Sequence, residues 1–141
     1  MSATGLRALD VNVQKTHIWL NDILDELGWD DQQRAFHALR VVLHVVRDHL
    51  PLEEVAQLAA QFPQFIRGVY YEGWRPCAEP PRDRHWDQFV AHVENEFVND
   101  LNAEPEMITR AVLRVLSKHI SPGEITDVKR CLPEEIRRHW H

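Results

Sequence analysis

Glycine and cysteine are both scarce in this 141-residue chain, which contains five glycines and two cysteines. The glycines are scattered, so they cannot build a P-loop or a dinucleotide-binding turn, both of which need clustered glycines beside the phosphate. The sequence also lacks the G-x-S-x-G elbow that presents a nucleophilic serine. Its two cysteines, Cys77 and Cys131, form neither a CxxC redox motif nor a zinc knuckle. We therefore predict no catalytic residue and no cofactor, and the sequence leans against an enzyme without deciding the question.

An excess of positive charge is absent as well. The formal net charge is −6, from 16 Lys and Arg against 22 Asp and Glu, whereas non-specific nucleic-acid binding requires a basic surface. No basic stretch followed by an apolar run marks an N-terminal signal peptide. The most apolar segment, 38–46, is interrupted by Arg40 and His44 and is too short to span a bilayer. These observations predict a cytoplasmic protein with reduced cysteines that binds neither nucleic acid nor a membrane.

Sequence patterns typical of β-strands are also rare, whereas apolar residues recur at helical spacing along the chain. The hydrophobic content of 44% is ordinary for a globular protein. We therefore predict an all-α fold, a compact bundle of about eight helices that forms a single domain over 1–141.

An internal repeat emerges when the sequence is compared with itself at an offset of 70 residues. Positions 14–71 match positions 84–141 without a gap, and apolar residues coincide along most of the alignment. Eleven pairs are identical: Glu26/Glu96, Asp30/Asp100, Arg40/Arg110, Val42/Val112, Leu43/Leu113, Val45/Val115, His49/His119, Glu54/Glu124, Pro63/Pro133, Ile66/Ile136 and Arg67/Arg137. This pattern predicts two tandem four-helix repeats, 14–74 and 84–141, related by pseudo-two-fold symmetry and joined by a proline-rich linker at 75–83.

The helices within each repeat follow from apolar spacing and from helix-start signals. The second helices, at about 31–49 and 105–119, carry the widest apolar stripes and should be central to the core. Four residues identical in both repeats are therefore predicted to be buried: Val42, Leu43, Val112 and Leu113. Asp30 is predicted to cap the first of these, and Ser121 with Glu124 reads as a capping box for the helix that follows the second. Prolines are predicted to mark the starts of the third and fourth helices of each repeat: Pro51, Pro63, Pro122 and Pro133.

Nine histidines raise the question of a metal site. A helix supplies two ligands to one metal when they are three or four residues apart, and no two histidines have that spacing. His37 and His44, like His85 and His92, are seven apart and so lie about 10.5 Å apart along a helix axis. We therefore predict histidines at the surface and at the edge of the core and no metal site, with a site assembled from different helices as the less favoured alternative.

The polar residues retained in both repeats have two interpretations. His49/His119 and Arg67/Arg137 could form a pair of pseudo-symmetric binding sites. Alternatively Arg67 links its helix to Glu54 within the first repeat, and Arg137 with Glu124 copies this contact in the second. Each arginine is then expected to reach an acidic or a backbone partner within its own half. The structural interpretation is favoured, because a polar contact that is used twice is usually architectural.

The segment 50–74, LPLEEVAQLAAQFPQFIRGVYYEGW, resembles a bacterial family of domains of unknown function, number 2267. The SPGE helix start and the LPEEIRRHW ending of the second half are similar to it too, so the resemblance covers almost everything after about residue 14. It implies a compact helical bundle with a duplicated architecture. It implies no reaction, cofactor or partner.

Aromatic residues and glycines are concentrated just before the linker, where the second repeat has no counterpart. Tyr71 and Trp74 are amphipathic anchors of the kind enriched at protein interfaces, and with Arg67 and Arg137 they are the candidate interaction patch. The alternative is that Tyr70 and Trp74 pack the linker onto the bundle. We predict a non-enzymatic protein-interaction or regulatory module; the alternative is a small-ligand binder or an enzyme with a cleft between the repeats. The partner protein and the oligomeric state are left open.

Overall fold

The computed structural model describes residues 3–141 of the chain, and these residues contain eight α-helices and no strand. They are α1 (Arg7–Leu27), α2 (Gln32–Asp48), α3 (Leu52–Ala59), α4 (Gln64–Tyr71), α5 (Trp86–Glu94), α6 (Pro105–His119), α7 (Pro122–Arg130) and α8 (Glu134–Arg138). The predicted all-α fold class is therefore confirmed. Residues 1–2 of the predicted domain lie outside the described residues.

The two central helices, α2 and α6, pack against each other and carry much of the core. Val42, Leu43 and Val112 have no exposed surface, and Leu113 is 1% exposed. Their burial was predicted from the apolar stripes and is confirmed. Each of these side chains is removed from water on folding, which is the main favourable contribution to stability.

Local signals account for the helix boundaries. Gly28 ends α1 in the left-handed conformation, with φ 68°, which glycine adopts without steric cost. Asp31 rather than Asp30 caps α2, accepting from the backbone N–H groups of Gln33 and Arg34. The prediction of Asp30 was wrong by one residue, because two adjacent aspartates offer the same short carboxylate and the sequence does not choose between them.

The predicted capping box at the start of α7 is half correct. The Ser121 hydroxyl accepts from the backbone N–H of Glu124 at 3.3 Å, as predicted. The Glu124 side chain, however, accepts a hydrogen bond from Gln57 of α3 at 2.8 Å. Its carboxyl group therefore faces the contact between α3 and α7.

Contacts between the first four and the last four helices hold the two halves of the chain together. Helix α1 packs on α6, α2 packs on α5 and α6, and α3 packs on α7. Ion pairs cross the same boundary, among them Arg34–Asp100 at 2.7 Å and Arg114–Glu26 at 2.8 Å. The tandem repeat itself stays a prediction. The first helices of the two predicted repeats, α1 and α5, have 21 and 9 residues. A superposition of 14–71 on 84–141 must accommodate this difference in length.

The segment 72–85 between α4 and α5 has no helix, and a turn closed by Ala78 N–H and the Arg75 carbonyl lies within it. It brings Asp83 against the C-terminal end of α2. None of the helices in the described residues combines the length and the apolar character needed to cross a membrane.

Candidate functional site

The aromatic residues predicted as an interaction patch lie at the end of α4. Tyr71 and Trp74 contact each other with ring centroids 5.4 Å apart, and both are partly buried against the core. Trp74 also lines a cleft of about 480 Å³ together with Leu50, Val55 and prolines of the 72–85 segment. Trp74 therefore packs between the linker and the bundle, which was the alternative interpretation of the sequence.

The two arginines of the predicted patch bind main-chain carbonyls of their own helix pairs. Arg67 donates to the carbonyl oxygens of Ala59 and Phe62, both at 2.9 Å. Arg137 donates to the carbonyl oxygen of Leu132 at 3.3 Å. An acidic or a backbone partner within its own half was predicted for each arginine, and the partners are backbone carbonyls in both cases. Both arginines reach back five residues across a proline. The predicted link between Arg67 and Glu54 is wrong, because Glu54 lies against Glu124 instead.

These contacts predict unequal effects for two matched substitutions. Arg67→Lys should lower the free energy of unfolding by about 1–2 kcal/mol, because lysine cannot bind two carbonyls with one planar group. Arg137→Lys should cost less than about 1 kcal/mol, since Arg137 is exposed and makes one long hydrogen bond. Urea unfolding of both variants, with the neighbouring exposed Arg138→Lys as the control, measures the difference. Equal losses, or a loss only in Arg137→Lys, would contradict the assignment.

A pair of buried glutamates lies where α3 packs on α7. Glu54 is 8% exposed and Glu124 is 5% exposed, and the Oε2 atom of each is buried without a hydrogen-bond donor among the described residues. Burial, together with the hydrogen bond and the negative charge of Glu124, raises the pKa of Glu54 to about 8. At neutral pH the carboxyl group of Glu54 therefore keeps its proton beside Glu124. Glu54 and Glu124 are an identical pair in the aligned halves of the sequence, but their contact with each other was not predicted.

A second cluster joins His49, Asp83 and His92, which come from the end of α2, the linker and α5. The Nε2 atom of His49 lies 2.9 Å from Asp83 Oδ2, and the Nε2 atom of His92 lies 2.5 Å from the same oxygen. One atom from each of the three side chains lies within 4.8 Å of the other two. Partial burial opposes ionisation of Asp83, but its hydrogen bonds with the two histidines hold its pKa below the ordinary value.

The ring of His49 is fixed on several sides. Its Nδ1 atom lies 2.7 Å from the carbonyl oxygen of Val45, and its side chain is 3% exposed. The ring of Phe89 packs against it at 5.0 Å and that of His92 at 5.4 Å. His92 is more open, with 40% of its side chain exposed. One histidine is thus held rigidly inside the protein while the other borders solvent.

His119, which aligns with His49 in the predicted repeat, has different surroundings. Its Nε2 atom lies 2.6 Å from Asp22 Oδ2, and Lys118 lies 2.9 Å from the other oxygen of Asp22. Asp22 and His92 are 70 residues apart and so align with each other when the two halves are compared. The position held by His92 beside His49 is therefore held by an aspartate beside His119. Partial burial by itself would raise the pKa of Asp22, but hydrogen bonds from Lys118 and His119 lower this pKa below its ordinary value.

An apolar groove lies between α1 and α4. Leu9, Val13 and Phe65 line it and are 52%, 49% and 50% exposed. Thr16 and Asn12 also line this groove, which encloses about 200 Å³. The Asn12 carboxamide accepts from the backbone N–H of Phe65 at 3.1 Å and so fixes α4 against α1. This surface was not predicted, because the first predicted repeat begins at residue 14 whereas α1 begins at Arg7, which leaves Leu9 and Val13 outside the predicted unit.

The model of one protein family matches residues 16–139, and that family is described as "Uncharacterized conserved protein (DUF2267)". The chain belongs to this family. The resemblance that the 50–74 segment carried is therefore confirmed, and the match extends from α1 to the end of α8. The comparison with curated proteins found no match.

Proposed function

We propose that this protein is a non-enzymatic protein-interaction or regulatory module. The groove between α1 and α4 binds an amphipathic helix of a partner protein. The observation that carries the proposal is the half-exposed apolar surface of Leu9, Val13 and Phe65, which lie together over one groove. Exposed apolar residues that cluster around a groove, unlike single ones scattered over a surface, are typical of interaction sites.

The arrangement of the groove favours a helical partner. Leu9, Val13 and Thr16 follow one another at spacings of four and three residues, so they form one stripe along α1. Phe65 from α4 forms the opposite wall. A groove between two helices with such a stripe suits the apolar face of a third helix, which inserts side chains at the same spacing. Asn12 and His17 also line the groove and can supply a polar rim of the kind that surrounds interface cores.

Site-specific photo-crosslinking tests the proposal. A photoreactive amino acid at position 13 should crosslink to one partner protein in cells that express the chain, whereas the same group at the 97% exposed position 101 should not. Adding Phe65→Glu should abolish the crosslink without unfolding the protein, because Phe65 is already half in water. A crosslink of equal yield from both positions, or one that survives Phe65→Glu, would reject the groove.

The surface predicted from the sequence, formed by Tyr71, Trp74, Arg67 and Arg137, enters the same experiment as a second arm. If Trp74→Ala removes the crosslink and Phe65→Glu does not, the partner binds at the end of α4. A crosslink to a second copy of this chain identifies self-association in place of a partner. The alternative of a small-ligand binder or an enzyme between the halves predicts that neither substitution changes the proteins captured.

A further inference from the structure

The hydrogen-bond pattern of His49 requires a cation beside its Nε2 atom. The carbonyl oxygen of Val45 can only accept, so the Nδ1 atom at 2.7 Å carries a hydrogen. In the neutral ring Nε2 then bears a lone pair, and that lone pair faces the Asp83 carboxylate at 2.9 Å. Two acceptors at this distance repel each other unless a proton or a metal ion lies between them.

The geometry points to a metal ion, because a third donor atom converges on the same place. We propose that His49 Nε2, His92 Nε2 and the Asp83 carboxylate bind one divalent transition-metal ion of the zinc type. Two imidazoles and one carboxylate are borderline ligands that suit Zn²⁺, and Co²⁺ and Ni²⁺ with it. This site is separate from the proposed interaction groove and stands without it.

The side chains would have to open only slightly to accept the ion. Zinc–nitrogen and zinc–oxygen bonds of about 2.0–2.2 Å place tetrahedral ligand atoms roughly 3.3 Å apart. The observed nitrogen–oxygen separations are 2.9 Å and 2.5 Å. Asp83 lies in the non-helical segment before α5, so it can withdraw by the required fraction of an ångström without breaking a helical hydrogen bond.

The surroundings of the cluster resemble those of known metal sites in two respects. A metal-binding histidine usually donates its other ring N–H to a carbonyl or carboxylate, as His49 does to Val45. Three protein ligands leave the fourth position of a tetrahedral ion open to water or to a small ligand. The partial exposure of His92 places that position beside solvent.

The other half of the protein shows how the same arrangement is satisfied without a metal. Asp22 there pairs with His119 and also with the ammonium group of Lys118, which supplies the positive charge directly. An aspartate replaces the second histidine, so the described residues provide no third ligand at that place. The Asp22–His119 pair therefore serves as an internal control for the cluster of His49, Asp83 and His92.

Titration of the full-length, tag-free protein with Co²⁺ tests the site. We expect saturable binding of one ion per chain in the micromolar range or tighter, with the visible d–d absorption of a tetrahedral centre, and displacement by Zn²⁺. Separate His92→Gln and Asp83→Asn substitutions should each weaken binding at least tenfold, since even outer-sphere changes cost about 10–100-fold at such sites. Both residues are partly exposed, so circular dichroism should show an unchanged helical content.

Matched controls separate this site from adventitious binding to surface histidines. Asp22→Asn removes the carboxylate of the other pair, and His85→Ala removes an exposed histidine; both should bind Co²⁺ like the wild type. The absence of saturable binding would overturn the proposal, as would binding that survives both His92→Gln and Asp83→Asn. A nitrogen-15 spectrum showing a doubly protonated His49 that Zn²⁺ leaves unchanged would assign the cluster to a proton instead.

Discussion

Truncating Leu43 to alanine is expected to lower the free energy of unfolding by about 2–5 kcal/mol, the range for buried leucines. Leu43 has no exposed surface and lies on α2, which packs against α1, α4, α5 and α6. A cavity at this position therefore removes contacts to several helices at once, and close packing on all sides limits how far they can relax into it. Leu113→Ala on α6 should cause a similar loss, because Leu113 is 1% exposed.

Urea unfolding monitored by circular dichroism measures both effects. Leu101→Ala is the matched control, since the side chain of Leu101 is 97% exposed and its truncation should change stability by less than about 0.5 kcal/mol. A loss below about 1 kcal/mol in Leu43→Ala would mean that α2 does not hold the core together.

Raising the pH from 5.5 to 7.5 is expected to destabilise the protein through Glu54 and Glu124. The pKa of Glu54 is raised from 4.5 in the unfolded chain to about 8 in the folded protein, so between these values the folded state holds one more proton. A raised pKa of this kind gives stability that is complete below the unfolded value and is lost as the pH approaches 8. The slope is at most about 1.4 kcal/mol per pH unit, or roughly 2–3 kcal/mol over this interval.

Neighbouring acidic groups contribute to the raised pKa of Glu54, so substituting one of them tests the expected pH dependence. Glu124 contributes a hydrogen bond and a charge, and Asp127 contributes a second charge. The pKa of the nearby Cys131 thiol is raised by burial and by the same carboxylates. Glu124→Gln should remove the repulsion and flatten the pH dependence, because its amide can donate to Glu54 and its oxygen can still accept from Gln57.

Denaturant unfolding of wild type and Glu124→Gln at several pH values checks this expectation. Glu53→Gln, on the exposed side of the same helix, should keep the wild-type slope. If Glu124→Gln keeps the wild-type slope as well, Glu124 is not what holds the proton on Glu54.

Much of the fold was predictable from the sequence because helix formation and burial are recorded locally. The apolar stripes located α2 and α6 and the burial of Val42 and Val112, and prolines marked the starts of the short helices. The contacts of Arg67 and Arg137 within their own halves were also predictable, since each arginine binds a backbone carbonyl only five residues earlier in the chain. In each case the deciding interactions join residues within one helix or one helix pair.

The candidate sites were decided by the tertiary structure. His49 and Asp83 are 34 residues apart, and Gln57 and Glu124 are 67 apart, so no local spacing records that they meet. Glu124 had the spacing of a capping residue, yet packing of α7 on α3 turned its carboxyl group toward Glu54. The sequence by itself determined which segments become helices and which side chains leave water, because periodicity encodes both. Which polar groups then converge depends on how those helices pack, and that is a property of the whole core.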